Sequence, residues 1–234
     1  MSYIECEDLV IGYRGKVLYD SINLKVNKGD FLYIVGENGA GKSTIMKVLL
    51  QLLKPIEGKV SFGDEIESDE IGYLPQQTEI QINYKASVRE IVLSGFLNKI
   101  GIRPFYSRRL KKAADKNMKE LGIWDLRNDS FSELSSVDQQ RVLLARALCS
   151  TKKILLLDEP LVGLDSTEKM EIHKLIEDLN NVGVTIIMTS NDMEEALKYA
   201  THILHITREG TLYTSKEEDL NSNKLLQQNT MEEL

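Results

Sequence analysis

Residues 31–53, FLYIVGENGAGKSTIMKVLLQLL, decide the fold. The run Phe31, Leu32, Tyr33, Ile34, Val35 has the length and β-branched content of a buried strand. It breaks into Gly36-Glu37-Asn38-Gly39-Ala40-Gly41-Lys42-Ser43-Thr44. Apolar residues then recur at Ile45, Met46, Leu49, Leu50 and Leu53, which predicts a helix. The pattern G-x-x-x-x-G-K-[ST] thus stands between a strand and a helix, the context that marks a phosphate-binding loop rather than a plain turn. Its glycines let backbone N–H groups turn inward around a phosphate, and the helix N-terminus adds positive potential. Such a loop assigns Lys42 to the β- and γ-phosphates and the Ser43 hydroxyl to Mg²⁺.

The bulk properties narrow what surrounds that loop. A chain of 234 residues can bury a sizeable core. Hydrophobic and charged contents of 42% and 28% suit a globular protein. A net charge of −7 argues against general nucleic-acid binding, which needs a basic face. Cys6 and Cys149 are too few and too distant to suggest a disulfide framework or a metal site. No apolar run approaches the ~20 residues that span a bilayer. The opening MSYIECEDLV lacks the basic start and long apolar centre of a signal peptide. The expected compartment is cytosolic, with any membrane association made through a protein partner.

Ahead of the loop, residues 3–26 read as two short strand-like segments, with Ile22, Leu24 and Val26 alternating against Asn23 and Lys25. Arg14-Gly15-Lys16 marks the turn between them. After the loop helix and the breaker at Lys54-Pro55, residues 59–62 and 71–74 read as short strands, closed by Pro75-Gln76-Gln77. The texture over residues 85–150 is helical, and Ser87-Val88-Arg89-Glu90 has the form of a capping box. Then strand and helix alternate: Ile154-Leu155-Leu156-Leu157 into Asp158-Glu159-Pro160, a helix over 167–180, a strand over 184–188, a helix over 193–199 and a strand over 202–206. That order predicts a parallel sheet with covering helices. Residues 211–214 follow as a short strand, and the polar stretch 216–234 reads as a loosely docked helix or a tail.

Asp158 and Glu159 end a buried apolar strand, where α/β sheets place ligand groups. Magnesium takes oxygen ligands, so Asp158 is a second anchor for it beside Ser43. Glu159 would polarise a water for attack on the γ-phosphate.

These motifs together resemble the ATP-binding subunit of an ATP-binding-cassette (ABC) transporter, over about residues 2–214 and in the family's order. GENGAGKST matches the Walker A motif and ILLLDEP the Walker B motif with its catalytic glutamate. Gln76 resembles the Q-loop glutamine, Gly163-Leu164-Asp165 the D-loop, and LSSVDQQR (Leu134 onward) lies where the family signature LSGGQxQR belongs. Thr189-Ser190-Asn191-Asp192 lies where the family carries its switch histidine, and Tyr13 lies where an aromatic ring stacks on adenine. Parts of the sequence also resemble bacterial metal-uptake systems.

The resemblance implies an α/β P-loop NTPase of ABC type. A RecA-like parallel core and an N-terminal antiparallel part (1–84 and 151–215) would carry an inserted helical subdomain (85–150) and a tail (216–234). It implies ATP and Mg²⁺ as cofactors. Tyr13, Gly36, Asn38, Gly39, Ala40, Gly41, Lys42, Ser43, Thr44 and Ser135 would bind the nucleotide. Ser43, Gln76 and Asp158 would hold the metal, and Glu159, Gln76 and Asn191 would serve hydrolysis. The implied partners are a transmembrane permease and a second ATP-binding subunit, in a homo- or heterodimer, at the inner face of the cell membrane. A regulatory or structural ABC protein that binds ATP with little hydrolysis is the alternative. His202 and His205, three apart on a strand, point to opposite faces and do not form a metal site.

Two motifs depart from the family. Ser136-Val137-Asp138 stands for Gly-Gly-Gln, and Asn191 stands for the switch histidine. Val137 disfavours the backbone freedom that glycine offers. Ser135-x-x-Asp138 has the form of a helix cap, with the acid favourable to the helix dipole. The helix should form well while its ligand face is poorer, so turnover by this chain alone is expected to be slow.

Overall fold

The computed structural model describes residues 2–13, 16–63, 66, 70–76, 85–101, 105–207 and 210–215. The expected turn at Arg14-Gly15 and the tail 216–234 lie outside the described residues. The chain divides into two compact units, residues 1–63 with 187–234, and residues 64–186.

In the first unit, β1 (Ser2–Tyr13), β2 (Lys16–Asn27) and β4 (Glu57–Phe62) form an antiparallel sheet in the order β2-β1-β4. The first two strands are 12 residues each, longer than the short segments read from the sequence. Register shifts such as the one between Cys6 and Leu9, with positive φ at Asp8 and Ser21, interrupt the alternation without ending the strands. Those interruptions are why the pattern reads as shorter pieces. Ile22, Leu24 and Val26 are buried, as their alternation requires.

The run Phe31–Gly36 forms β3, buried at every position. It pairs in parallel with β8 (His202–Thr207), from Leu32↔His202 to Gly36↔Ile206, and β9 (Gly210–Ser215) runs antiparallel to β8. The loop helix α1 (Lys42–Leu49) stops short of Leu53. Gln51 adopts φ 57°, and Leu52 and Leu53 both donate their N–H to the Lys47 carbonyl, closing the helix before Lys54-Pro55.

The second unit contains the parallel pair β5 (Ile71–Leu74) and β6 (Ile154–Asp158). Its helices are α2 (Val88–Ser94), α3 (Leu97–Ile100), α4 (Arg108–Glu120), α5 (Ser136–Ser150) and α6 (Ser166–Asn181). Ser87 and Glu90 make the full reciprocal capping box at α2. Helix α5 packs against α2 and α4. Gly95 lets the end of α2 lie on α5, because a Cβ there would run into the Arg146 carbonyl and Cys149. Strand β7 (Thr185–Ser190) crosses from one unit to the other and is buried throughout; α7 (Met193–Tyr199) follows it. Parallel strands, an antiparallel sheet and helices together make an α/β fold. No described helix is long and apolar enough to cross a membrane.

Candidate functional site

The first unit holds the phosphate loop. Gly36 ends β3 where a Cβ would collide with the Ile206 carbonyl 2.6 Å away, so only glycine fits between the loop and β8. Gly39 and Gly41 have φ of 80° and 90°, and Ala40 N–H donates to the Glu37 carbonyl, which curls the loop. Thr44 and Ile45 then donate to the Gly41 carbonyl and start α1. Lys42 is only 4% exposed. Its ammonium donates to the carbonyls of Gly36 at 2.8 Å and Glu37 at 3.1 Å, which aims the charge across the loop mouth. Asn38 and Gly39 are exposed at the loop tip, and Ser43 and Thr44 are half-buried in the first turn.

Tyr19 is a supporting residue that the sequence did not single out. Its hydroxyl donates to the Ala40 carbonyl, and its ring lies against Gly41, where a Cβ would sit 3.3 Å from Cε2. Burial pushes its phenol above the usual value, so it stays a donor. A mid-strand tyrosine 21 residues upstream carries no local signal of this contact. Tyr13 ends β1 opposite Lys16, and its side chain lies outside the described atoms. Asn191 is exposed between the end of β7 and Asp192, the N-cap of α7. Among the described residues, His202 and His205 belong to no cluster able to hold a metal.

The second unit brings together the acidic groups. Asp158 ends β6 and is 2% exposed. The Tyr73 hydroxyl on neighbouring β5 faces its Oδ2 at 3.5 Å. Burial first, then the Asp158 carboxylate, push the Tyr73 phenol up to about 12, so it remains protonated beside the acid. Glu159 takes a left-handed φ of 48°, a strained conformation for a non-glycine residue. The Gln76 amide donates to its Oε2 at 2.8 Å, so the two side chains meet directly. Gln140 of α5, buried, donates to the Pro160 carbonyl at 2.5 Å and ties that helix to the loop after β6.

The residues at the start of α5 are turned toward their own helix. Ser135 caps α5 by accepting from Asp138 N–H at 3.2 Å, and its hydroxyl donates to Asp138 Oδ2 at 2.8 Å. Asp138 also pairs with Arg141 at 3.6 Å, and Arg141 bonds Glu171 of α6. Val137 buries its side chain within the helical turn, and no positive φ arises here. Asp165 caps α6 by accepting from Thr167 and Glu168 N–H, completing a second capping box. The sequence signal for that box, Asp165-x-x-Glu168, was present.

The ABC transporter family model matches residues 19–162. The manganese transport system ATP-binding protein MntB of Bacillus subtilis (strain 168) is 33% identical over 208 residues, covering 86% of this chain and 82% of that protein. The zinc uptake system ATP-binding protein ZurA of Listeria innocua is 31% identical over 212 residues, covering 88% and 82%. Among solved structures, cbiO1 of Clostridium perfringens, part of the ABC transporter complex cbiONQ, superposes with a TM-score of 0.81 at 26% identity, over 99% of this chain and 96% of that one.

Proposed function

The chain belongs to the ABC transporter family, and on that premise we propose which of its residues carry the chemistry and what it helps to move. It is an ATP-binding, ATP-hydrolysing subunit that drives solute transport through a membrane permease partner. The observation that carries the assignment of the site is Lys42, buried in a glycine loop between β3 and α1 with its ammonium aimed across the loop mouth.

The nucleotide phosphates lie in the loop of Gly36, Asn38, Gly39, Ala40, Gly41, Lys42, Ser43 and Thr44, with adenine against Tyr13. Loop N–H groups and the Lys42 ammonium bind the β- and γ-phosphates. Mg²⁺ takes oxygen ligands, and Ser43 through its hydroxyl, Gln76 through its amide oxygen and Asp158 through its carboxylate are the residues that would hold it. When bound, Mg²⁺ supplies charge neutralisation at the phosphate oxygens. Glu159 is the general base that takes the proton of the attacking water. The Gln76 amide holds that carboxylate in one orientation, and the Asn191 amide donates toward the γ-phosphate.

The solute is a transition-metal ion or a chelate of one, a reading supported by relatives named for manganese and zinc. A second ATP-binding subunit completes each nucleotide site, the permease docks on the helical region 85–150, and the complex sits at the cytoplasmic face of the membrane. Turnover by this chain alone is slow. The Ser135–Asp138 pair supports that reading, because the hydroxyl expected at a partner's nucleotide is engaged inside its own helix turn. The same pair favours, as a second reading, an ATP-binding regulator.

Pull-down of the membrane-extracted complex tests the assignment. It should recover a permease whose cross-links map to residues 85–150, and uptake by that complex should be of manganese or zinc. Cross-links confined to the last twenty residues would contradict the docking, and a non-metal solute would contradict the substrate class.

A further inference from the structure

Two consecutive glutamines of α5 are buried, Gln139 at 6% exposed and Gln140 at 4%. Amides are costly to bury unless they are paired, so each marks a contact that the fold uses. Gln139 donates from Nε2 to the Phe131 carbonyl at 3.0 Å, which fastens α5 to the turn just ahead of it. Gln140 reaches a different part of the chain. Its Nε2 donates to the Pro160 carbonyl at 2.5 Å, 20 residues along the sequence and in the loop that follows β6.

Pro160 is buried and directly follows Glu159. The residue before a proline ordinarily takes extended backbone. Glu159 instead has φ 48°, a conformation that costs free energy and persists only where its surroundings enforce it. The bonds within the loop are long. Val162 N–H to the Glu159 carbonyl is 3.3 Å and Leu164 N–H to the Leu161 carbonyl is 3.4 Å, both beyond the usual N–H···O range. The bond from Gln140 is much shorter, and it comes from a helix that is itself fixed. Helix α5 packs on α2 and α4, and Arg141 bonds Glu171 of α6. Glu159 is thus held from two sides, by Gln76 on its carboxylate and by Gln140 on the carbonyl of the next residue.

We propose that Gln140 is a positioning residue for hydrolysis: by holding the Pro160 carbonyl it keeps Glu159 in the backbone conformation that presents its carboxylate to the attacking water. The proposal rests on the reading of Glu159 as the general base. It gives the start of α5 a task within its own chain, separate from any contact with a partner's nucleotide. A base displaced by about 1 Å loses much of its effect, so loss of the bond acts on the chemical step and spares nucleotide binding.

Single-turnover hydrolysis of Mg-ATP by the full chain in excess tests this, with ATP affinity and the number of binding sites taken from calorimetry. Gln140→Met, close in length and lacking the donor, should lower the rate constant per ATP-binding site about tenfold, the scale of one buried hydrogen bond, with affinity within about twofold of the unaltered chain. Gln140→Asn, whose amide ends one methylene short of the carbonyl, should show the same split between rate and affinity. Glu159→Gln alone should be slower still, and adding Gln140→Met to it should change the residual rate less than about twofold, because the two residues act through one group. An unchanged rate in both Gln140 variants, a loss of ATP binding that matches the loss of rate, or a further fall of about tenfold in the double variant would overturn the proposal, since a merely structural glutamine acts the same way with or without Glu159. If Glu159→Gln leaves the rate unchanged, the general-base reading fails and takes this proposal with it. If Glu159→Gln is slow while both Gln140 variants keep the full rate, this proposal alone fails.

Discussion

The phosphate loop and the start of α5 are both glycine-loop positions in the family to which this chain belongs, yet here they are built in opposite ways. Gly36, Gly39 and Gly41 keep the loop in conformations that side chains resist, and the loop aims its ammonium across its mouth. At the start of α5, Ser136, Val137 and Asp138 form an ordinary, well-capped helix turn. Ser135 has both its hydrogen and a lone pair engaged with Asp138, and Val137 is buried. The first region keeps backbone that only glycine adopts freely, whereas the second has satisfied its own polar groups. The cap and dipole favour α5 by ~0.3–1 kcal/mol. A carboxylate about 5 Å from a partner's γ-phosphate would repel it by roughly 3 kcal/mol per unit charge at an effective dielectric of ~20. Even half of that weakens a closed dimer about tenfold, so the local gain does not offset the loss.

The contrast can be broken from either side. The largest effect is expected for Lys42→Ala, which should lower ATP affinity more than about a hundredfold in calorimetry, because it removes the buried cation of the loop. Unchanged affinity would show that the loop does not bind the phosphates. Tyr19→Phe removes only the hydroxyl that pins Ala40 and should weaken ATP about fivefold, the scale of one hydrogen bond. Tyr73→Phe should raise the Mg²⁺ concentration for half-maximal ATPase about threefold, since Asp158 loses the donor beside it; a metal dependence identical to that of the unaltered chain would remove Tyr73 from the site. On the signature side, Ser135→Ala should cost about 1 kcal/mol of stability by loss of the α5 cap, seen as a fall of ~2–4 °C in the thermal midpoint. A midpoint that does not move would mean the Ser135–Asp138 cap contributes nothing.

The sequence made the local devices readable and left the contacts between distant segments hidden. The β3–loop–α1 unit, the Ser87–Glu90 box and the Ser135–Asp138 cap each lie within a few residues and follow from spacing alone. The helix α1 reads too long because Leu53 keeps the period, while the left-handed turn at Gln51 has no composition signal. The 12-residue strands β1 and β2 read too short because bulges break their alternation. Tyr19 on Ala40, Tyr73 beside Asp158, Gln76 on Glu159 and Gln140 on Pro160 join residues from 20 to 85 apart in sequence, which periodicity cannot pair. The positive φ of Glu159 is likewise set by its surroundings, because glutamate has no preference for that region.

The central claim is that the start of α5 is self-satisfied at the expense of its ligand face, and one measurement tests it most directly. Steady-state ATPase activity of the chain is compared with that of a variant carrying Ser136→Gly, Val137→Gly, Asp138→Gln and Asn191→His, at matched concentration and saturating Mg-ATP. The account predicts that the unaltered chain is slow, and that the variant is at least about tenfold faster and dimerises with ATP when Glu159→Gln is added to it. An unaltered chain that turns over as fast as the variant would contradict it.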